Sequence, residues 1–179
     1  MSTPPVPKRP SRTDKATTKQ VAEKLLPEFA QWVKADDDDD RQQDDLLADL
    51  IKALDYNDDG YEIAHNLDHQ GYSPNAELVS ILDAADGYRR SIHNEACKMW
   101  VASNNLQPIP LDTKVRWPYK PSAGVGIVTN NHSDGKSTVS FPSLGHTRGS
   151  GFVVEWEELV VEPLALRVPT TATWCAPLA

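Results

Sequence analysis

The chain has 179 residues, 39% hydrophobic and 25% charged, with a mean hydropathy of -0.51; that suffices for one ordinary domain or two small ones, with polar tails or loops around them. No run of 18 apolar residues occurs, and the basic start MSTPPVPKRPSR has no apolar stretch behind it, so neither a membrane span nor a secretory signal is predicted. The net charge of -8 is uneven: residues 1–20 carry five basic and one acidic side chain, residues 21–100 seven and 19, and residues 101–179 six of each.

The acidity therefore belongs to one segment, which repels phosphate and attracts basic surfaces. Cys97 and Cys175 lie far apart in the chain. They form neither a disulfide framework nor a metal knuckle, and they point to a reducing, cytoplasmic setting.

Residues 1–13 are Pro-rich and basic and are expected to be disordered. Val21, Leu25, Phe29, Trp32 and Val33 then fall on one helical face. Pro27 should kink this helix or open a second one. Asp36, Asp37, Asp38, Asp39 and Asp40 follow as a run that cannot be packed. Asp40 suits an N-cap, with Gln43 completing a capping box. The next helix carries Leu46, Leu47, Leu50, Ile51 and Leu54 on one face and Asp45 and Asp49 on the other. A turn at 56–59 leads to a short helix with Ile63, Ala64 and Leu67 inward, ended by Gly71. Ser73 and Pro74 are an N-cap followed by proline at the first helical position. They predict a long helix to about Asn104, lined by Leu78, Leu82, Ala85, Ile92 and Met99, with Gly87 its weak point.

At Pro108 the helical spacing stops. Short β-rich runs appear at 114–117, 126–129, 137–141, 152–155 and 159–162, separated by turn residues such as Pro118, Asn130 and Asn131, Asp134 and Gly135, Gly145, Gly149 and Gly151. Five short strands bury a face by closing into a small barrel. No internal repeat is visible.

Val115-Arg116-Trp117, Gly124-Val125-Gly126-Ile127-Val128, Thr138-Val139-Ser140-Phe141 and Glu155-Trp156-Glu157-Glu158-Leu159-Val160 give this stretch its likeness: it resembles the SH3-like barrels of KOW and Tudor type. The whole chain also resembles accessory proteins of bacteriophages and other mobile elements. The expected architecture is α+β, an N-terminal helical bundle followed by a small five-stranded SH3-like β-barrel. The expected divisions are a basic tail at 1–13, an acidic helical domain at 14–107, the barrel at 108–163 and a C-terminal tail at 164–179.

Motifs for chemistry are incomplete. Asp55, Asn57, Asp59 and Gly60 fit positions 1, 3, 5 and 6 of an EF-hand loop, but position 12 is Asn66 where calcium needs a bidentate Glu. Asp59 as N-cap with Glu62 in a capping box is the simpler reading. His65 with His69, and His93 with Cys97, are i, i+4 pairs without a third zinc ligand, and Glu62-x-x-His65 has no second copy. Both pairs are expected on solvated helix faces. No nucleophile elbow, Walker loop or kinase set occurs, and Gly124-Val125-Gly126 precedes no helix that could cradle phosphate. The expectation is no enzyme, no cofactor and no metal.

The aromatics Trp117, Tyr119, Phe141, Phe152 and Trp156 should mostly fill the barrel. The expected function is a non-enzymatic binding protein. Its acidic helices, through Asp36, Asp37, Asp38, Asp39, Asp40, Asp45 and Asp49, would engage a protein partner with a basic surface. Closely spaced carboxylates imitate the phosphates of DNA, and the likeness to phage proteins implies, by analogy, an anti-CRISPR or anti-restriction inhibitor occupying a host nucleic-acid-handling complex. The alternative is a nucleic-acid-associated module acting through the barrel with Arg116, Trp117, Tyr119 and Arg148. It is the weaker expectation, because that region has no net charge.

Overall fold

The computed structural model describes residues 7–35, 41–54, 59–147 and 149–162. The chain divides into two compact units, Met1–Gln107 with Ser133–Gly135, and Pro108–His132 with Lys136–Ala179. The first is helical and the second is built on an antiparallel sheet, so the class is α+β.

The helical unit has, among the described residues, α1 (Lys15–Lys34), α2 (Gln43–Ala53), α3 (Gly60–Asp68), α4 (Ala76–Leu82) and α5 (Ala84–Ser103). None is long and apolar enough to cross a membrane. On α1 the i, i+4 series Val21, Leu25, Phe29 and Val33 is buried, joined by Ala22 and Leu26. Pro27 lies inside this helix and neither ends it nor opens another. Its ring sits on the exposed side, where water can take up the carbonyl that loses its N–H partner. Leu46 and Leu50 of α2 and Leu54 just after it meet Ile63 and Leu67 of α3 and Leu78 and Leu82 of α4 in one apolar core that includes Phe29.

The starts of α2 and α4 follow different caps from those expected. α2 starts after Gln42, not in a box begun by Asp40, which lies outside the described residues. Asp59 does cap α3, its carboxylate accepting from the N–H groups of Tyr61 at 2.9 Å and Glu62 at 3.2 Å. The next cap is Asn75 rather than Ser73: its Oδ1 accepts from Leu78 N at 2.9 Å and from the Trp32 indole at 3.1 Å. The long helix expected to about Asn104 is interrupted at Asp83, between α4 and α5, and not at Gly87. Gly60 packs there so closely that a Cβ on it would lie 2.6 Å from Val79 O and 2.8 Å from Asp83 N.

The core-facing stripe of α5 is the largest departure. Met99 is exposed, and the buried positions are Ala85, Arg89, His93, Cys97 and Trp100. Arg89 is only 3% exposed. Its guanidinium donates to Leu54 O at 3.0 Å, Thr18 Oγ1 at 3.1 Å and Arg12 O at 3.2 Å. One side chain thus joins α5 to the end of α2, to α1 and to the segment before α1. Arg12 also donates to Asp86 at 2.8 Å, and the Arg9 guanidinium lies 4.9 Å from the centre of the Trp100 ring. Residues 7–13, expected within a disordered tail, are held by these contacts, because arginine can pair and stack where its neighbouring prolines cannot.

The second unit has strand order β4-β3-β2-β1-β5, all antiparallel: β1 (Lys114–Arg116), β2 (Val125–His132), β3 (Lys136–Ser140), β4 (Phe152–Glu155) and β5 (Val160–Val161). Among the described residues no pairing joins β4 to β5, so the expected barrel is here an open sheet. β2 continues past Asn130 and Asn131, expected as a turn, by a register shift after Val128 that lets both pair with β3. Val115, Val128, Val139, Phe141, Val154 and Leu159 form the core with Ala123. Gly126 is required in β2: a Cβ there would lie 2.4 Å from Val139 Cγ1 and 2.7 Å from the Phe141 ring.

Substitutions at three positions test the helical packing. Gly60→Ala should lower stability by about 2–3 kcal/mol in urea denaturation, because backbone that cannot move faces the new methyl group. Gly87→Ala, with nothing within 4 Å of the new Cβ, should raise stability by about 0.5–1 kcal/mol, the ordinary helix-interior difference. Arg89→Met, measured the same way, should cost about 3 kcal/mol by stranding buried acceptors, with Arg89→Lys recovering only part of it.

Candidate binding surfaces

The acidic positions singled out in the sequence fall into three groups. Asp36, Asp37, Asp38, Asp39 and Asp40 lie outside the described residues. Asp45 is exposed on α2. Asp49 is half-buried and committed: its Oδ2 accepts the Tyr72 hydroxyl at 2.8 Å. The Arg41 guanidinium lies 3.9 Å from the Tyr72 ring centre, and Tyr72 packs against Phe29 at 5.3 Å. Burial first, and then the bond to Asp49, push the Tyr72 pKa up to about 12. Asp49 is therefore a structural side chain rather than part of an open acidic face. Sequence periodicity sets it on the polar face of α2 but cannot see a tyrosine 23 residues away.

On the sheet unit, Arg116, Trp117, Pro118, Pro121, Gly124 and Val160 line a cavity of about 290 Å³. Arg116 is ion-paired with Glu162. The Trp117 indole donates to Glu158 Oε2 at 3.1 Å, and its ring packs 5.7 Å from Phe152. Lys120 Nζ sits 4.0 Å from the centre of the Phe152 ring. Tyr119 is 79% exposed, so it does not fill the core as expected, and it is not among the cavity residues. Arg148 lies outside the described residues. The structure thus joins Arg116 to Trp117 but sets a carboxylate beside each, an arrangement unfavourable to phosphate.

The histidine pairs separate. His65 and His69 are exposed, their rings 4.5 Å apart. His93 and Cys97, expected on a solvated face, are instead buried, with Sγ 3.6 Å from Nε2 and 3.8 Å from Nδ1. Among the described residues no group of three His, Cys, Asp or Glu side chains gathers as a metal would require.

Sequence reasoning also missed a groove on the helical unit. Glu28, Gln31, Trp32 and Ala35 of α1 and its cap face Glu77 and Ile81 of α4 across about 320 Å³. The i, i+4 spacings Glu28–Trp32 and Glu77–Ile81 are the signal available in the sequence, but the helical pattern groups Trp32 with the apolar face of α1. A larger depression of about 520 Å³ between α3 and α4 is lined by Tyr61, Ala64, His65, Asp68, Pro74 and Val79 among others.

No family model, curated protein or solved structure matches the chain. The likeness of the sheet region to SH3-like barrels therefore rests on its residues.

The split between Asp45 and Asp49 is directly measurable. Asp49→Ala should lower stability by about 1–2 kcal/mol and Asp45→Ala by less than about 0.5 kcal/mol. In an absorbance titration of tyrosinate, one tyrosine should ionise near pH 12, and Asp49→Ala should bring it down. A raised folded-state pKa means that the Tyr72 contribution is complete below the unfolded value near 10 and is lost as pH rises through about 12.

Proposed function

We propose that this is a non-catalytic binding protein whose acidic helical unit engages a partner through a basic surface. The observation that carries this reading is the segregation of charge, seven basic against 19 acidic side chains in residues 21–100, combined with where the described carboxylates lie. Glu28, Asp44, Asp45, Glu62, Asp68 and Glu77 are all exposed. Single exposed pairs contribute about 0–1 kcal/mol each, so a clustered field rather than one contact provides the attraction. Carboxylates at such density imitate a nucleic-acid backbone, and the class of partner they fit is the basic channel of a nucleic-acid-handling complex. An inhibitor of host restriction or CRISPR machinery is the instance that the phage-like style of the chain favours.

The sheet unit supports a second reading, as an SH3-like module. The chain passes from β4 at one sheet edge to β5 at the other through Trp156–Glu158 and Leu159. Four strand spacings of a flat sheet measure about 19 Å, and five Cα steps that include a 3₁₀ turn span less. A short connection of this kind supports a curled sheet of the SH3-like sort over a flat one. The cavity beside Trp117 would then be the binding site of this module.

Retention of a partner from host extract on the immobilised protein separates the readings. On the first, the partner elutes as salt rises from about 50 mM to about 500 mM and is displaced by duplex DNA. Replacing Asp36, Asp37, Asp38, Asp39 and Asp40 by Asn together, or Asp45 by Asn, should weaken retention. Retention that ignores salt and is lost on Trp117→Ala would move the function to the sheet.

A further inference from the structure

We infer that the groove between α1 and α4 is a seat for an arginine side chain on an extended segment of a basic protein partner, an inference that rests on the acidic-surface reading above. The groove has two ridges of like design. On α1, Glu28 stands one turn before Trp32; on α4, Glu77 stands one turn before Ile81. Each ridge supplies one carboxylate and one apolar surface. Glu28 and Glu77 are exposed, and no Lys or Arg is among the residues that line the groove.

Trp32 is held in place. Its ring stacks on Phe29 at 6.2 Å with planes 11° apart, and its indole N–H donates to Asn75 Oδ1 at 3.1 Å. Asn75 in turn caps α4, so the same residue that starts one wall orients the aromatic on the other. A fixed indole with exposed carboxylates beside it suits a guanidinium: the planar cation stacks on the ring, its N–H groups reach Glu28 or Glu77, and its methylene stem lies against Ile81. An ammonium fits less well, being a compact, strongly hydrated charge that cannot stack. At about 320 Å³ the groove has room for one such side chain with its flanking backbone.

The test uses the ¹⁵N-labelled full chain and hexaarginine, capped at both ends, as the probe. Titration should shift the Trp32 indole resonance, and Glu28→Gln with Glu77→Gln should weaken binding about tenfold. Glu77→Lys, which leaves the apolar contacts in place, should abolish the Trp32 shift. Melting temperatures of these variants should stay near wild type, since both side chains are exposed. Hexalysine binding as tightly as hexaarginine would remove the guanidinium claim. Loss of binding on replacing the five aspartates by Asn, with no effect of Glu28→Gln and Glu77→Gln, would overturn the groove and leave the acidic-surface reading standing. Failure of hexaarginine to bind at low salt would overturn both.

Discussion

The buried guanidinium of Arg89 organises the helical unit. An arginine that is 3% exposed has given up nearly all its water, at a cost of several kcal/mol unless the protein replaces that hydration. Here backbone and hydroxyl oxygens from three separate segments do so: Leu54 O, Thr18 Oγ1 and Arg12 O. Leu54 is the C-cap of α2, where carbonyls without intrahelical partners make the helix end electronegative. The cation and the helix end therefore satisfy each other. Any rearrangement of α1, α2 or the segment before α1 would strand a buried donor, so the register of these elements against α5 is strongly specified.

The apolar core is less particular. Leu25, Leu50, Leu54, Ile63, Leu67, Leu78 and Leu82 are fully or nearly fully buried, and aliphatic side chains of this kind tolerate repacking at constant volume. Specificity comes from contacts where no exchange is possible. Gly60 lets α3 approach the α4 backbone, Asn75 receives both Leu78 N and the Trp32 indole, and Tyr72 spans from Phe29 to Asp49. On the sheet unit the corresponding constraint is Gly126, which leaves the space that the Phe141 ring and Val139 occupy. Phe141 can then meet Phe152 and Trp117, the latter lining the cavity, so the residue that is missing a side chain makes room for the aromatic cluster of the sheet.

The elements legible in the sequence were those set by repeated local pattern. The α1 face, the leucines of α2, the Asp59 cap and the five β runs all depend on spacing within a few residues, and the structure places them close to where spacing puts them. The failures share a different cause. α5 was lined up on apolar residues alone, and its true inward stripe contains Arg89 and His93, which no apolar periodicity counts. The helix breaks at Asp83 rather than Gly87, where Gly60, 23 residues earlier, packs against its backbone. Asp49 and Arg12 find partners far along the chain, Tyr72 and Asp86. The acidic surface was visible as composition, but the groove beside Trp32 needed α1 and α4 brought together, which is tertiary information.

The distribution of acid over this unit also has a thermodynamic logic. Concentrated like charge destabilises a compact state through self-repulsion, and such a surface persists only if the interior compensates. The Leu-rich core and the Arg89 network supply that interior, while the paired acids at Asp86 and Asp49 are removed from the open field by Arg12, Arg90 and Tyr72. Arg12, above all, holds the Asp86 carboxyl below the usual carboxylate range. The carboxylates that remain open are those of exposed helix positions, where ionisation costs no burial. Screening by salt relieves their repulsion and weakens their attraction for a basic partner together. On the proposed reading, stability and binding therefore respond to ionic strength in opposite directions, because the same open carboxylates repel one another and attract the partner.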